Sequence, residues 1–474
     1  MVRQYWLSDV SFLSSKSMAN AVRWCGVWLI ALLTCPAIAQ QPAEAQSDES
    51  IAAKADEYCR AQVAVNHFSG SVLVAKGDQV LFAKGYGMAN VEHEVPNTPQ
   101  TKFRLGSITK QFTAMAILTL QEQGKLSVDD LVSKHVEGCP ESWKDVTIHH
   151  LLTHTSGIPS FTSLPGYPTS MPLPSSPAKT LDRVRDMPLE FAPGEKFVYS
   201  NSGYVLLGQI IEKVSGKPYE KFLPEVIFEP LGMKDTGYDF PAPIIPHRAA
   251  GYRRIGDQFA NAAYLDMTIP HGAGALFSTV EDLHRWSVAL DEGKLISSGA
   301  YEKMYTPAKG SYAYGWIIDE QFGHKRIGHG GGINGFSTYI GRMPDEKLCL
   351  VVLSNVEGAP SGSVAGGLAA IAIGEKYDLP KERKFIAVDG QVLDSLVGEY
   401  ELRPGFVLTI TRDGERLMGK ATGQGKLELR AESETQFYVN EADAQVTFVK
   451  DDEGKVTKLI LRQGGRETEG KRGK

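Results

Sequence analysis

Residues 103–110 read Phe103-Arg104-Leu105-Gly106-Ser107-Ile108-Thr109-Lys110, and the pattern predicts a helix from Ser107 to Gln123, stopped by Gly124. Helical spacing puts Lys110 one turn beyond Ser107 on the same face. The free N–H groups of the first turn and the positive end of the helix dipole point at the serine. A serine hydroxyl is a weak nucleophile unless a base takes its proton. A lysine does so only when desolvation or neighbouring positive charge lowers its pKa. Taken alone, the S-x-x-K pattern also fits an ordinary N-cap with an exposed lysine. Ser176-Pro177-Ala178-Lys179 matches it too. That copy falls in residues 159–177, where six prolines predict a surface loop, a candidate lid, with no regular element and no helix to present the serine.

Two further motifs carry chemistry. In Tyr199-Ser200-Asn201 an extended backbone would put Tyr199 and Asn201 on one side. A tyrosine beside a lysine can shuttle protons, and an asparagine offers both a donor and an acceptor to a substrate amide. A core tyrosine beside a turn asparagine has the same spelling, and Tyr438-Val439-Asn440 repeats it downstream. Gly328-His329-Gly330-Gly331-Gly332 lets a strand backbone come close to a substrate. One of its N–H groups, with that of Ser107, would form an oxyanion hole.

Around these motifs, residues 51–66 have helical spacing, with Ile51, Ala55, Tyr58 and Val63 near one face. Ser71–Ala75 and Val80–Ala83 flank Gly77-Asp78 as a hairpin. Residues 203–223 read as one helix closed by Pro224. Phe336–Ile340 and Leu348–Leu353 are strand-like, with Pro344-Asp345 between them. Strands therefore open and close the region 51–380 and helices fill its middle. The fold expected is α+β: an antiparallel sheet built from both ends of the segment, flanked by helices, with an all-helical insertion. A charged stretch, Lys381-Glu382-Arg383-Lys384, leads to a second unit at 390–474. Its short alternations, broken at Arg412-Asp413-Gly414, Gly423-Gln424-Gly425 and Asp452-Glu453-Gly454, predict a small all-β antiparallel barrel.

At the other end, Arg23, the apolar run Trp24–Leu33 and Ala37-Ile38-Ala39 occur in the order of a signal peptide over residues 1–39. Residues 18–39 also make a complete signal, so Met18 is an alternative start. Residues 40–50 are polar and read as a tether. The run is about half the ~20 apolar residues a membrane span needs, so no span is expected in the mature chain. Removing the leader takes three basic residues and one acid, shifting the net charge from −6 to −8. That balance argues against a nucleic-acid surface. Cys59, Cys139 and Cys349 then remain, too few for a disulfide-built scaffold.

The ordered trio of motifs resembles the penicillin-recognising serine hydrolases: class C β-lactamases, D-alanyl-D-alanine carboxypeptidases, D-aminopeptidases and related esterases. The resemblance runs from about residue 60 to 375. It includes Phe103–Ser107, Leu152-Thr153-His154-Thr155-Ser156-Gly157, Pro193-Gly194 before Tyr199, and Pro230-Leu231-Gly232-Met233. It implies Ser107 as the acylated nucleophile, with Lys110 and Tyr199 handling its proton, either being the base. It implies Asn201 on the substrate amide, His329 and Gly331 in the strand motif, and the Gly332 N–H in the oxyanion hole. Class C β-lactamases usually carry Lys-Thr-Gly where this chain has His329-Gly330-Gly331. A histidine is largely neutral above its ordinary pKa of about 6.5 and holds a carboxylate less firmly than lysine. The histidine is closer to some D-peptidases and esterases. The C-terminal unit resembles barrels appended to certain D-aminopeptidases, where it would restrict the site, tether the chain or stabilise it.

Other chemistries fit poorly. His329–Gly332 resembles a lipase oxyanion motif, but the chain has no G-x-S-x-G elbow. Gly330-x-Gly332-x-x-Gly335 should precede a helix to bind a dinucleotide, and strands follow it. His150 and His154 lack the glutamate of a zinc-protease helix, since Leu151 follows His150, and are read as structural. No metal or organic cofactor is expected. The reading is an exported, periplasmic or secreted serine hydrolase acting on small amides or esters, D-amino-acid peptides among them. A β-lactamase or carboxylesterase on the same site is the alternative. A catalytically inactive peptide or cell-wall binder is the alternative of another class.

Overall fold

The computed structural model describes residues 47–473 apart from 257, 382, 404, 423–424, 440–443 and 464–465. The leader, most of the tether and Asn440 lie outside the described residues. Helix α1 spans Asp48–Asn66, starting three residues before the expected boundary. The Ser47 hydroxyl accepts the Ser50 N–H at 3.2 Å, and Asp48 and Glu49 complement the helix dipole, which fixes that start.

The hairpin β1 (Gly70–Lys76) and β2 (Gln79–Tyr86) turns through Gly77, at φ +61°. Four late strands join it: β3 (Ile317–Gln321), β4 (His324–Ile333), β5 (Phe336–Met343) and β6 (Leu348–Ser354). The order is β3-β4-β5-β6-β1-β2, antiparallel throughout, so both ends of the segment do build one sheet. The two-residue period splits its core. Leu73, Ala75, Val351 and Leu353 pack toward the helical insertion. Val72, Val74, Leu350 and Val352 pack under α1 and a late helix, Ser361–Ile373.

The insertion contains α2 (Thr109–Glu122), α3 (Ile148–Leu152), α4 (Pro177–Arg185), α5 (Asn201–Ser215), α6 (Tyr219–Leu223) and α7 (Val280–Asp291). Several expectations are corrected here. The insertion is not all-helical: Phe103–Arg104, Leu276–Ser278 and Gly237–Tyr238 form a small antiparallel sheet, and Tyr252–Ile255 pairs with Gln258–Asn261. Ser107 lies in a 3-10 turn, Gly106–Ile108, ahead of α2 rather than in the helix itself. The expected helix over 203–223 is two helices, because Gly216 caps α5 at φ +71° and Pro218 opens α6. Pro224 does end the α-helix, which stops at Leu223, and the chain runs on into a π-helical turn, Pro224–Phe228. The proline-rich stretch also keeps regular structure, a 3-10 turn at Phe161–Ser163 and a short helix at Tyr167–Ser170. Its last proline, Pro177, is the first residue of α4, a position that suits a fixed φ.

The C-terminal strands, from β7 (Gly398–Arg403) to β14 (Arg466–Arg472), pair in sequence order and close into an eight-stranded barrel when β7 meets β14. Tyr400, Ile410, Leu417, Phe437, Phe448 and Leu459 fill it. Barrel residues Tyr438, Gln445 and Arg462 share a cavity of about 1070 Å³ with Tyr58, Gln62 and Tyr339 on the α1 face of the sheet. The barrel therefore meets the face opposite Ser107, and the expectation that it restricts the site gains no support. Among the described residues all three cysteines are free, and no helix is long and apolar enough to cross a membrane.

Candidate active site

Gly106 shapes the turn that carries Ser107. It sits at φ +55°, and a Cβ there would lie 3.1 Å from the Gly332 backbone. A left-handed residue in such close approach to a strand favours glycine. The 3-10 turn it opens leads into α2, and the Lys110 Nζ reaches the Ser107 Oγ at 3.1 Å.

Lys110 is fully buried, at 0% exposure. Its Nζ is also 2.9 Å from Asn201 Oδ1 and 2.8 Å from the Ala273 carbonyl. Both of those oxygens can only accept, so each takes an N–H from Lys110. Burial drives the lysine pKa well below 10.5. A neutral amine has two N–H groups and one lone pair. With both N–H groups engaged, the lone pair is left for the Ser107 hydroxyl. The Tyr199 and Tyr204 rings lie 4.7 and 5.4 Å from Nζ and would support the ammonium formed on proton transfer.

Tyr199 is the mirror case. Burial raises its pKa, outweighing the opposite pull of the nearby Ser107 hydroxyl. Its own hydroxyl is buried and has no well-formed hydrogen bond. Burial thus favours the protonated phenol at Tyr199 and the neutral amine at Lys110. Asn201 is the first residue of α5 rather than part of an extended segment with Tyr199. Its Oδ1 holds Lys110 and its Nδ2 donates to Thr162 Oγ1 at 3.1 Å, leaving one Nδ2 hydrogen for a substrate.

Gly331 and Gly332 differ. A Cβ on Gly331 would come within 1.9 Å of the Leu105 carbonyl and 2.3 Å of Thr338 Oγ1, so no side chain fits. Nothing lies within 4 Å of a Cβ on Gly332, where the strand borders open space. Thr338 Oγ1 donates to the Leu105 carbonyl at 2.7 Å and ties the sheet to the nucleophile turn. His329 is only 4% exposed. Its Nδ1 is 2.6 Å from the Gly330 carbonyl, which fixes the proton there, and its Nε2 accepts from the Tyr312 hydroxyl at 3.0 Å. Burial, with Lys110 nearby, lowers its pKa to about 4. Both nitrogens are committed and the ring is neutral, so it supplies no cation.

Sequence reasoning missed three contributors. The Ala273 carbonyl comes from a short helix, His271–Gly274, and no side-chain pattern announces a backbone acceptor. His154, expected to be structural, packs its ring against Tyr199 at a 35° tilt with centroids 4.1 Å apart. The Ser200 N–H donates to its Nδ1 at 3.1 Å, and burial keeps it neutral. Tyr312 packs against His154 and holds His329. No group of three or more His, Cys, Asp or Glu is placed to hold a metal among the described residues.

A nucleophile turn at the edge of a helical insertion, a buried lysine beneath it and a glycine strand beside it define a serine hydrolase of the penicillin-recognising class. The profile of the β-lactamase family matches residues 55–373, and that of a domain of unknown function, DUF3471, matches 382–472. The chain belongs to the β-lactamase family. It is 32% identical over 430 residues to penicillin-binding protein 4* of Bacillus subtilis, covering 85% of this chain and 94% of that protein. The octameric penicillin-binding protein homologue from Pyrococcus abyssi superposes with a TM-score of 0.62 at 32% identity, covering 88% of this chain and 99% of the other. A D-stereospecific amidohydrolase from Streptomyces sp. follows at 0.59 and 27%, covering 69% and 99%.

Proposed function

We propose that this protein is an exported hydrolase cleaving small amides and esters, D-amino-acid derivatives among them, through an acyl-enzyme on Ser107. The observation that carries the reading is Lys110: buried, with both N–H groups held by obligate acceptors and its third position against Ser107. Lys110 takes the Ser107 proton as the oxygen attacks the substrate carbonyl. The amides of Ser107 and Gly332 receive the developing oxyanion, and the free Nδ2 hydrogen of Asn201 holds the substrate amide. Tyr199 gives its proton to the departing nitrogen or oxygen and regains one from Lys110. Water then repeats the sequence on the acyl-enzyme. The committed, neutral His329 favours amidase and esterase chemistry over recognition of a substrate carboxylate beside the strand motif. The D-stereospecific amidohydrolase among the structural neighbours supports the D-amino-acid class.

The test is a panel of D- and L-amino-acid amides and 4-nitrophenyl esters, read alongside fluorophosphonate labelling of the full chain. Turnover with labelling at Ser107 is expected. No labelling and no turnover would favour a binding protein. Hydrolysis of benzylpenicillin in preference to the panel would make it a β-lactamase. Export predicts that the secreted protein begins at Gln40.

A further inference from the structure

A second charged cluster lies one short step from Ser107. Arg104 Nε is 2.5 Å from Asp239 Oδ2, and Arg248 pairs with the other oxygen of the same carboxylate. Asp239 is fully buried, while Arg104 and Arg248 are 16% and 32% exposed. Two guanidinium groups thus share one carboxylate, an excess of one positive charge. A structural ion pair needs only one arginine. No hydrogen-bond partner takes the Nη groups of Arg104 among the described residues, and both arginines line a pocket of about 270 Å³.

Ala249, Ala250, Gly251 and Ala263 leave space on one side of the pocket, and Tyr264 and Phe336 complete its wall. Asn334 closes one side, held by its Nδ2 on the Ala263 carbonyl at 2.9 Å. Glu357 accepts the neighbouring Gly335 amide at 3.4 Å but does not line the pocket. The three residues from Arg104 to Ser107 span at most about 10 Å, and the two from Gly332 to Asn334 about 7 Å. The pocket thus lies at the C-terminal end of β4, lined by residues two or three positions along the chain from Gly332 and Ser107 and not by Ser107 itself. Tyr199 sits with His329 and Tyr312 toward the other end of that strand. If Tyr199 protonates the leaving group, the leaving group lies on the His329 side and the acyl group points to Arg104 and Arg248.

We propose that the Arg104–Arg248 pocket is an acyl-side anion subsite, and that the preferred substrates carry a carboxylate on the acyl portion. This rests on the acyl-enzyme reading above. A carboxylate entering the pocket would take charge-assisted hydrogen bonds from the free guanidinium N–H groups.

The test pairs 4-nitrophenyl hydrogen adipate with 4-nitrophenyl hexanoate, which differ only at the far end of the acyl chain, each corrected for enzyme-free hydrolysis. The readout is the ratio of their kcat/KM values, because a folding defect lowers both alike. The full chain should favour the adipate by about tenfold or more. The ratio should collapse toward one in Arg248→Gln, partly recover in Arg248→Lys, and fall with rising salt in the unmodified protein. A ratio at or below one in the unmodified protein overturns the subsite whatever the variants do. So does a preference that Arg248→Gln leaves intact. Failure to cleave either ester, with no labelling of Ser107, would instead refute the acyl-enzyme reading.

Discussion

Ser107 and Ser176 each precede a lysine by three residues, and each stands at the entry to a helix. At the second, the Ser176 hydroxyl accepts the Lys179 backbone N–H at 3.2 Å and caps α4. That hydroxyl is engaged by the helix backbone, and the Lys179 side chain is exposed to water. At the first, a left-handed Gly106 and a 3-10 turn carry the serine past the capping position, so its hydroxyl meets the Lys110 amine instead of a backbone amide. The lysine beneath it is buried among Asn201, Ala273 and two tyrosine rings. Spacing is common to the two pairs; desolvation and the hydroxyl's partner are not. Those two differences separate the proposed nucleophile from a helix cap.

Substitutions can break or sharpen this contrast. Ser107→Ala should abolish fluorophosphonate labelling and lower kcat/KM by about 10⁴-fold or more, whereas Ser176→Ala should leave turnover unchanged. Lys110→Met, close in shape and without the amine, should cost about 10²–10⁴-fold in acylation rate; Lys179→Met should cost nothing measurable. Tyr199→Phe should slow amides by about 10²-fold but activated 4-nitrophenyl esters much less, since nitrophenolate leaves without a proton. A uniform loss across both substrate types would remove Tyr199 from the leaving-group step. The smallest effect belongs to the cap: Ser176→Ala should lose about 1 kcal/mol of stability, seen as a modest drop in melting temperature at unchanged activity.

Much of this architecture was legible because it is written in local pattern. Alternation at Ser71–Ala75 and Leu348–Leu353 gave strands whose pairing the structure confirms through the register of Leu73 with Val351. Turn residues such as Arg412-Asp413-Gly414 marked a barrel hairpin, β-strands Phe406–Asp413 and Arg416–Ala421. Proline density misled at 159–177, since Pro177 starts a helix as readily as an interior proline breaks one. Gly216 hid a helix break inside a continuous apolar pattern. At the site, the motifs named Ser107, Lys110, Tyr199 and Asn201, and the fold brings the four together. The Ala273 carbonyl and the packing of His154 against Tyr199 left no trace, because backbone direction and long-range ring contacts have no sequence period.

The central claim is that Lys110 is a neutral base for Ser107, and the pH dependence of fluorophosphonate labelling tests it most directly. Its pKa is depressed in the folded protein, so the reactive form appears as pH rises through that lowered value. The labelling rate should climb as pH rises and reach a plateau well below 10.5, the ordinary lysine value. A rate that keeps rising tenfold per pH unit into the ordinary lysine range would mean that Lys110 rests as an ammonium, and would contradict the account.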